Sequence, residues 1–210
     1  MFKFGKKVSY RPLIIGSALG LLLGKVTYDV VGAGNSSTLQ QWFWTILIGA
    51  IFFSIIVFFH YLPNYPLEFS YWEVDHDTFK YVDTGRTKNK IISLLIPTIN
   101  PLTSVSKADI ASITLVGNIN KSFEAPMMVP VTAAMGAFYA GIAMVHNPNY
   151  VRLTLKTGQT IDLSIRRDYT YSRTKTIVQL NQLFESLNDS NIKVELPDIH
   201  QTAQRFTYNY

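Results

Sequence analysis

The chain is predicted to be an α+β membrane protein: an N-terminal two-helix transmembrane hairpin, then an antiparallel β-barrel or sheet with a C-terminal α-helix and an inserted apolar helical segment. Three observations predict this. Two apolar runs, 12–34 and 42–62, are joined by a loop without a charge. Short alternating runs follow from residue 67, as half-buried strands require. A helical period then replaces the alternation over residues 172–188.

The second run, WFWTILIGAIFFSIIVFFHYL, holds no formally charged residue over 21 positions, enough to cross a hydrocarbon core of about 30 Å. A helix apolar on every side has no place on the surface of a water-soluble domain. The net charge of +5 divides unevenly. Residues 1–62 hold Lys3, Lys6, Lys7, Arg11 and Lys25 against Asp29, whereas residues 63–210 hold 14 basic against 13 acidic residues. Basicity concentrated at the N-terminus argues against nucleic acid as a partner. Four of those five cations precede the first run, and the loop GNSSTLQQ has none. The positive-inside rule therefore predicts a multi-pass protein of the cell membrane, with the basic N-terminus (1–11) and the C-terminal domain cytoplasmic. Trp42 and Trp44 at one end of the second helix, and Tyr61 and Tyr65 at the other, suit the two interfaces. A cleaved signal peptide is the rival reading of residues 1–34. Lys25 and Asp29 stand where its cleavage region should be small and uncharged, so an uncleaved anchor is expected.

Gly16, Gly20 and Gly24 repeat at every fourth position of the first helix. Helices in lipid associate through close backbone approach, so this face should carry a neighbour: the second helix, another copy of the chain or a different membrane protein. Lys25 and Asp29, one turn apart, form a candidate intramembrane polar pair.

LEFSYWEV (67–74) and TFKYVDTG (78–85) flank the turn Asp75-His76-Asp77. IISLLIP (91–97) reads as a buried strand or a short helix ended by its proline, and DIASITLVGN (109–118) as a strand. YVRLTLKT and TIDLSIRR around Gly158-Gln159 form the clearest hairpin. Ile177, Leu180, Phe184 and Leu187 line one side of the terminal helix, and a polar tail (197–210) closes the chain. Residues 125–145, APMMVPVTAAMGAFYAGIAMV, are uncharged and interrupt the strands. Pro126 and Pro130 leave a helix short of a full crossing, so a re-entrant or membrane-dipping helix packed against the hairpin is expected ahead of a domain-core helix or a third span, with Ala133, Ala137 and Gly141 on its small side.

Strands followed by one amphipathic helix, with KADIASI (107–113) and VRLTLKTGQTIDLSI (151–165) leading into it, resemble the bacterial membrane proteins that carry two N-terminal helices and a cytoplasmic pleckstrin-homology-like domain. The resemblance spans residues 67–188 and sets the expected domain at 67–196. It implies an interaction module rather than an enzyme.

The search for chemistry is consistent with that implication. The chain has no Cys, no phosphate-cradling glycine loop and no nucleophile motif, and its four histidines are far apart. No catalytic residue, cofactor or metal is expected. Arg152, Lys156, Arg166, Arg167 and Arg173 are the candidates for holding anionic lipid headgroups. The expected function is therefore that of a scaffold or regulator at the membrane, whose domain binds a partner protein or headgroups. The alternative is an accessory or immunity-type subunit of a transporter or channel, associating through the glycine face.

Overall fold

The structure is a computed structural model, and it describes residues 1–34, 36–117, 141–146, 148–187 and 192–195. The chain divides into two compact units. The first comprises Met1–Lys6, Leu67–Val82 and Leu102–Tyr210; the second comprises Lys7–Pro66 and Asp83–Pro101.

The second unit is built on α1 (Arg11–Ala33) and α2 (Thr38–Ser54), the latter continuing as a wider π-helical segment over Ile55–Tyr61. Pro12 sits in the first turn of α1, where its missing N–H has no partner to lose. Ser37 caps α2 by accepting the Gln40 amide at 3.3 Å. In the π-helical segment Leu62 N–H reaches back to Val57 O at 3.2 Å. Both α1 and the stretch Thr38–Tyr61 are long and apolar enough to cross a membrane. A short turn, α3 (Tyr65–Glu68), follows. The same unit holds α4 (Thr87–Leu95). The helix, not the strand, is thus the outcome for 91–97. Only part of it is buried: Leu94 is enclosed, while Leu95 and Ile96 are exposed.

The first unit contains two four-stranded sheets. One has the order β1-β2-β3-β4, all antiparallel, from Phe2–Gly5, Tyr71–Val74, Thr78–Val82 and Leu102–Ser106. The other has the order β7-β6-β5-β8, from Thr160–Ser164, Tyr150–Leu155, Ile110–Val116 and Lys193–Glu195, with β8 parallel to β5. Residues 141–146 form α5, and α6 (Arg166–Tyr171) and α7 (Arg173–Leu187) follow β7. Alternation places Val151 and Leu153 of β6 beneath Ile161 and Leu163 of β7 in the core. Gly158, at φ +85°, turns this hairpin. Ile177, Leu180, Leu183, Phe184 and Leu187 of α7 complete one core with both sheets. Trp72 joins the sheets further, since its indole N–H donates to Ser164 O at 3.0 Å.

The basic N-terminal segment, expected to stand apart from the domain at 67–196, supplies β1. Phe4 pairs with Trp72 in register and stacks on its ring with centroids 4.2 Å apart. Burying a phenylalanine of this kind stabilises by about 2–3 kcal/mol, which together with the strand's hydrogen bonds to β2 offsets the entropy of ordering it. The domain therefore begins before the helices rather than after them, and it gives up residues 83–101 to the helical unit. Sequence periodicity misses β1 because four residues are too few to show a period.

Gly5 ends β1 at φ +77°, and a Cβ there would stand 1.6 Å from Ser70 O. We expect Gly5→Ala to destabilise the first unit by ~2–4 kcal/mol. Gly158→Ala, with positive φ but open space around it, should cost only about 1 kcal/mol. Thermal unfolding of the purified protein checks the difference, and hydrogen exchange at Phe2–Gly5 should rise only for Gly5→Ala.

Candidate functional site

The glycine face of α1 is buried, and α2 is what buries it. A Cβ on Gly20 would lie 2.8 Å from Gly49 O, and one on Gly49 would lie 3.0 Å from Gly20 O. Gly24 meets Thr45 and Gly16 meets Phe53 and Val57. The two backbones approach as closely as two glycines allow, the geometry by which helices associate without a hydrophobic driving force. Gly49 was not singled out from the sequence. Its signal was Thr45, Gly49 and Phe53 at four-residue spacing on α2. The Thr27 and Thr45 hydroxyls donate to Leu23 O and Gln41 O at 2.8 Å, so neither needs water.

The other sides of both helices are apolar and open. Leu21 is 76% exposed, Leu39 83% and Phe59 78%. Lys25 and Asp29 are paired with each other on this outer surface. The Lys25 ammonium lies 5.7 Å from the Tyr28 ring centroid, and Tyr28 in turn touches Trp42 at 5.2 Å. A cation, a carboxylate and two amphipathic rings are thus gathered at the loop end of the pair.

The five basic candidates of the first unit do not form one group. Arg152 pairs across strands with Asp162, through Nε at 2.7 Å and Nη2 at 2.9 Å, and also donates to the Tyr150 hydroxyl at 3.1 Å. Asp162 holds the guanidinium in its charged form. Lys156 sits at the Gly158 turn, where its backbone N–H donates to Asp109 O at 2.8 Å. Arg166 and Arg167 lie beyond the other end of the same hairpin, roughly 20 Å away at the usual strand rise. There they join Arg173. Arg167 stacks 4.8 Å from the Tyr171 centroid and Arg173 lies 5.6 Å from that of Tyr169. Tyr171, Lys175 and Val178 are exposed beside them.

Within this group stands Asp168, which was not anticipated from the sequence. Its carboxylate accepts the Gly5 N–H, fastening the end of β1 to α6. Burial pushes its pKa up, and the Gly5 N–H, Arg167 and Lys175 oppose that rise.

Ala133, Ala137 and most of the apolar segment 125–145 lie outside the described residues. Gly141 lies in α5, where Ala143 and Met144 are buried and Val145 is exposed. Among the described residues, no three His, Asp or Glu side chains are gathered as a metal site requires. Comparison of the chain with protein-family models, curated proteins and solved structures finds no match.

Two expectations follow from this geometry. Gly20→Leu should force α1 and α2 apart and destabilise the pair by ~1–3 kcal/mol, whereas Ala18→Leu, at an exposed position, should not. Protein abundance and melting temperature in mild detergent compare the two. For Asp168, a pKa raised on folding means that its contribution to stability is full below the ordinary aspartate range and is lost as pH climbs through the raised value. Asp168→Asn keeps an acceptor for Gly5 and removes the buried charge. Its melting temperature should match the parent near pH 4 and equal or exceed it at pH 7, while Asp168→Ala should melt lower at both.

Proposed function

We propose that this chain is a non-enzymatic membrane protein whose helix pair crosses the bilayer twice. Its α+β unit then acts on the N-terminal side as an interaction module of the pleckstrin-homology-like kind, a scaffold or regulator that binds a partner protein or anionic headgroups. The observation that carries the reading is where the helix pair enters the fold. The chain leaves the first sheet after β1, runs through two apolar helices, and returns to that sheet as the adjacent strand β2. Strands exchanging backbone hydrogen bonds occupy the same aqueous compartment, so a spanning pair between them makes an even number of crossings.

The outer surfaces of the helices support the same reading. Open faces of Leu, Ile and Phe around a closely packed glycine seam are what lipid covers at no desolvation cost. With Lys3, Lys6, Lys7 and Arg11 at the start of the chain and no Lys or Arg in the loop, the charge rule assigns the sheet side to the cytoplasm. The sheet arrangement also agrees with the proposed kind of domain: a four-stranded meander, a second sheet on the same core, and a terminal helix packed into it.

The recognition surface we assign is the α6–α7 group around Arg167, Tyr171 and Lys175. Arginine and tyrosine are the residues most enriched where proteins meet, and the same cations suit phosphate headgroups. An accessory subunit docking through the glycine face is less favoured, because α2 already occupies that face.

Single cysteines test the topology without interference, since the chain has none of its own. Leu39→Cys should react with an impermeant thiol reagent added outside intact cells, and Gly158→Cys only after permeabilisation. Labelling of both from outside would refute the even-crossing reading. For recognition, affinity purification in mild detergent should recover a partner protein or anionic lipid with the parent chain, and recovery should fall several-fold for Arg167→Glu combined with Tyr171→Ala.

A further inference from the structure

The segment 83–101 leaves the first sheet after β3, forms α4, and returns as β4. It belongs to the unit of the apolar helices rather than to the sheets it connects. Within that unit α4 touches α1. Its buried Ser93 lies beside the hydroxyl of Tyr65, four residues past the end of the second apolar stretch at Tyr61. The helix is therefore held near the end of the helix pair at which the second apolar stretch closes, the depth at which a spanning pair would leave the bilayer.

What α4 exposes fits that position. Its inward residues, Ser93 and Leu94, are fully buried, and Pro97 is buried with them. Its C-terminal end presents three apolar side chains, with Leu95 40% exposed and Ile96 and Ile99 each 49% exposed. The backbone beneath them is closed upon itself. Ile96 N–H donates to Ile92 O at 2.8 Å and Ile99 N–H to Ile96 O at 2.9 Å. The Ser93 hydroxyl donates to Ile99 O at 3.2 Å, and the Asn100 amide to Pro97 O at 2.9 Å. These bonds engage part of the backbone of the apolar tip, which lowers the cost of withdrawing it from water. The opposite end of the helix is cationic. Lys88 and Lys90 stand in its first turn, and Lys88 lies seven residues before Leu95, within about 20° of the same azimuth. Arg86, before the helix, is paired with Asp83 at 3.1 Å.

We propose that α4 and the turn after it lie on the cytoplasmic leaflet of the bilayer, with Leu95, Ile96 and Ile99 inserted among the acyl chains and Lys88 and Lys90 at anionic headgroups. The occupant of this face is a lipid surface, for two reasons. The face belongs to one compact unit with helices whose outer surfaces are apolar, and α4 packs against one of them. It also couples a greasy tip to two lysines for which no ion pair is found among the described residues, the pairing that interfacial helices use. This inference rests on the proposed crossing of the helix pair and adds a second, independent point of attachment.

Full-length single-cysteine variants carrying an environment-sensitive fluorophore, reconstituted into vesicles, test it. Leu21→Cys reports the crossing, Ile96→Cys and Ile99→Cys report α4, and Thr157→Cys in the exposed hairpin turn is the aqueous control. The probes at Ile96 and Ile99 should emit to the blue of Thr157. They should be quenched by lipids bearing a spin label near the headgroup, more than by lipids labelled near the bilayer centre, and Leu21 should show the reverse preference. In vesicles containing phosphatidylglycerol, quenching at Ile96 should exceed that in phosphatidylcholine alone, and Lys88→Glu with Lys90→Glu should abolish the excess. If Leu21 is quenched while Ile96 behaves as Thr157 does, the crossing stands and the α4 proposal is overturned. Loss of quenching at Leu21 as well would overturn both. A blue-shifted Ile96 probe that no lipid quenches, and that reddens as protein is diluted in lipid, would mean that a second copy of the chain covers the face, which also overturns the proposal.

Discussion

Four residues at the start of the chain, hydrogen-bonded as β1 to β2, set the terms for everything between them. Phe2 through Gly5 run antiparallel to Val74 through Tyr71, so some 65 intervening residues form an excursion that must begin and end at the edge of one sheet. The pairing is secured from three sides. Phe4 stacks on Trp72 in the core, Gly5 takes a backbone conformation and a proximity to Ser70 that only glycine permits, and its amide is held by Asp168 on α6. Each contact is modest by itself. Together they close a loop whose entropy rises only slowly with length, which is why so long an insertion between neighbouring strands is tolerable.

The excursion packs by rules different from those of the sheets it interrupts. The core of the first unit is made of large side chains, Trp72, Phe79, Ile113 and Leu180 among them, withdrawn from water. The helix pair does the reverse. Its contact is centred on glycines and threonines, with Phe53 and Val57 closing it at Gly16, and most of its large side chains face outward. Such a seam has little to gain from the hydrophobic effect and much from close backbone approach, as helix contacts in lipid do. The two packing regimes in one chain are the physical basis for proposing that the units work in two different solvents.

Ionisable groups divide along another line. Some are used structurally: Arg152 grips Asp162 across the hairpin, and Asp168 fixes β1. Lys88 and Lys90, and the α6–α7 group around Arg167, stand at the surface beside apolar or aromatic neighbours. That contrast, rather than the number of basic residues, separates candidates for recognition from residues that hold the fold.

The sequence by itself determined the features that have a period or a composition long enough to register. The two apolar runs, the hairpin around Gly158, the strand at 110–116 and the apolar face of α7 were all legible, because each repeats its signal over seven or more residues. The glycine face of α1 was equally plain, but its partner was not, since spacing on one helix carries no information about which surface meets it. Tertiary structure chose Gly49. It also decided what short or long-range features could not announce: that Phe2–Gly5 are a strand, that residues 83–101 side with the helices, that Asp168 reaches a backbone amide 163 positions away, and that five basic residues are spread along a hairpin and the helices after it rather than grouped. The reason is common to all four. Local periodicity reports which side of an element is apolar, whereas pairing is fixed by the free energy of the whole fold, in which distant residues compete for the same donor, ring or groove.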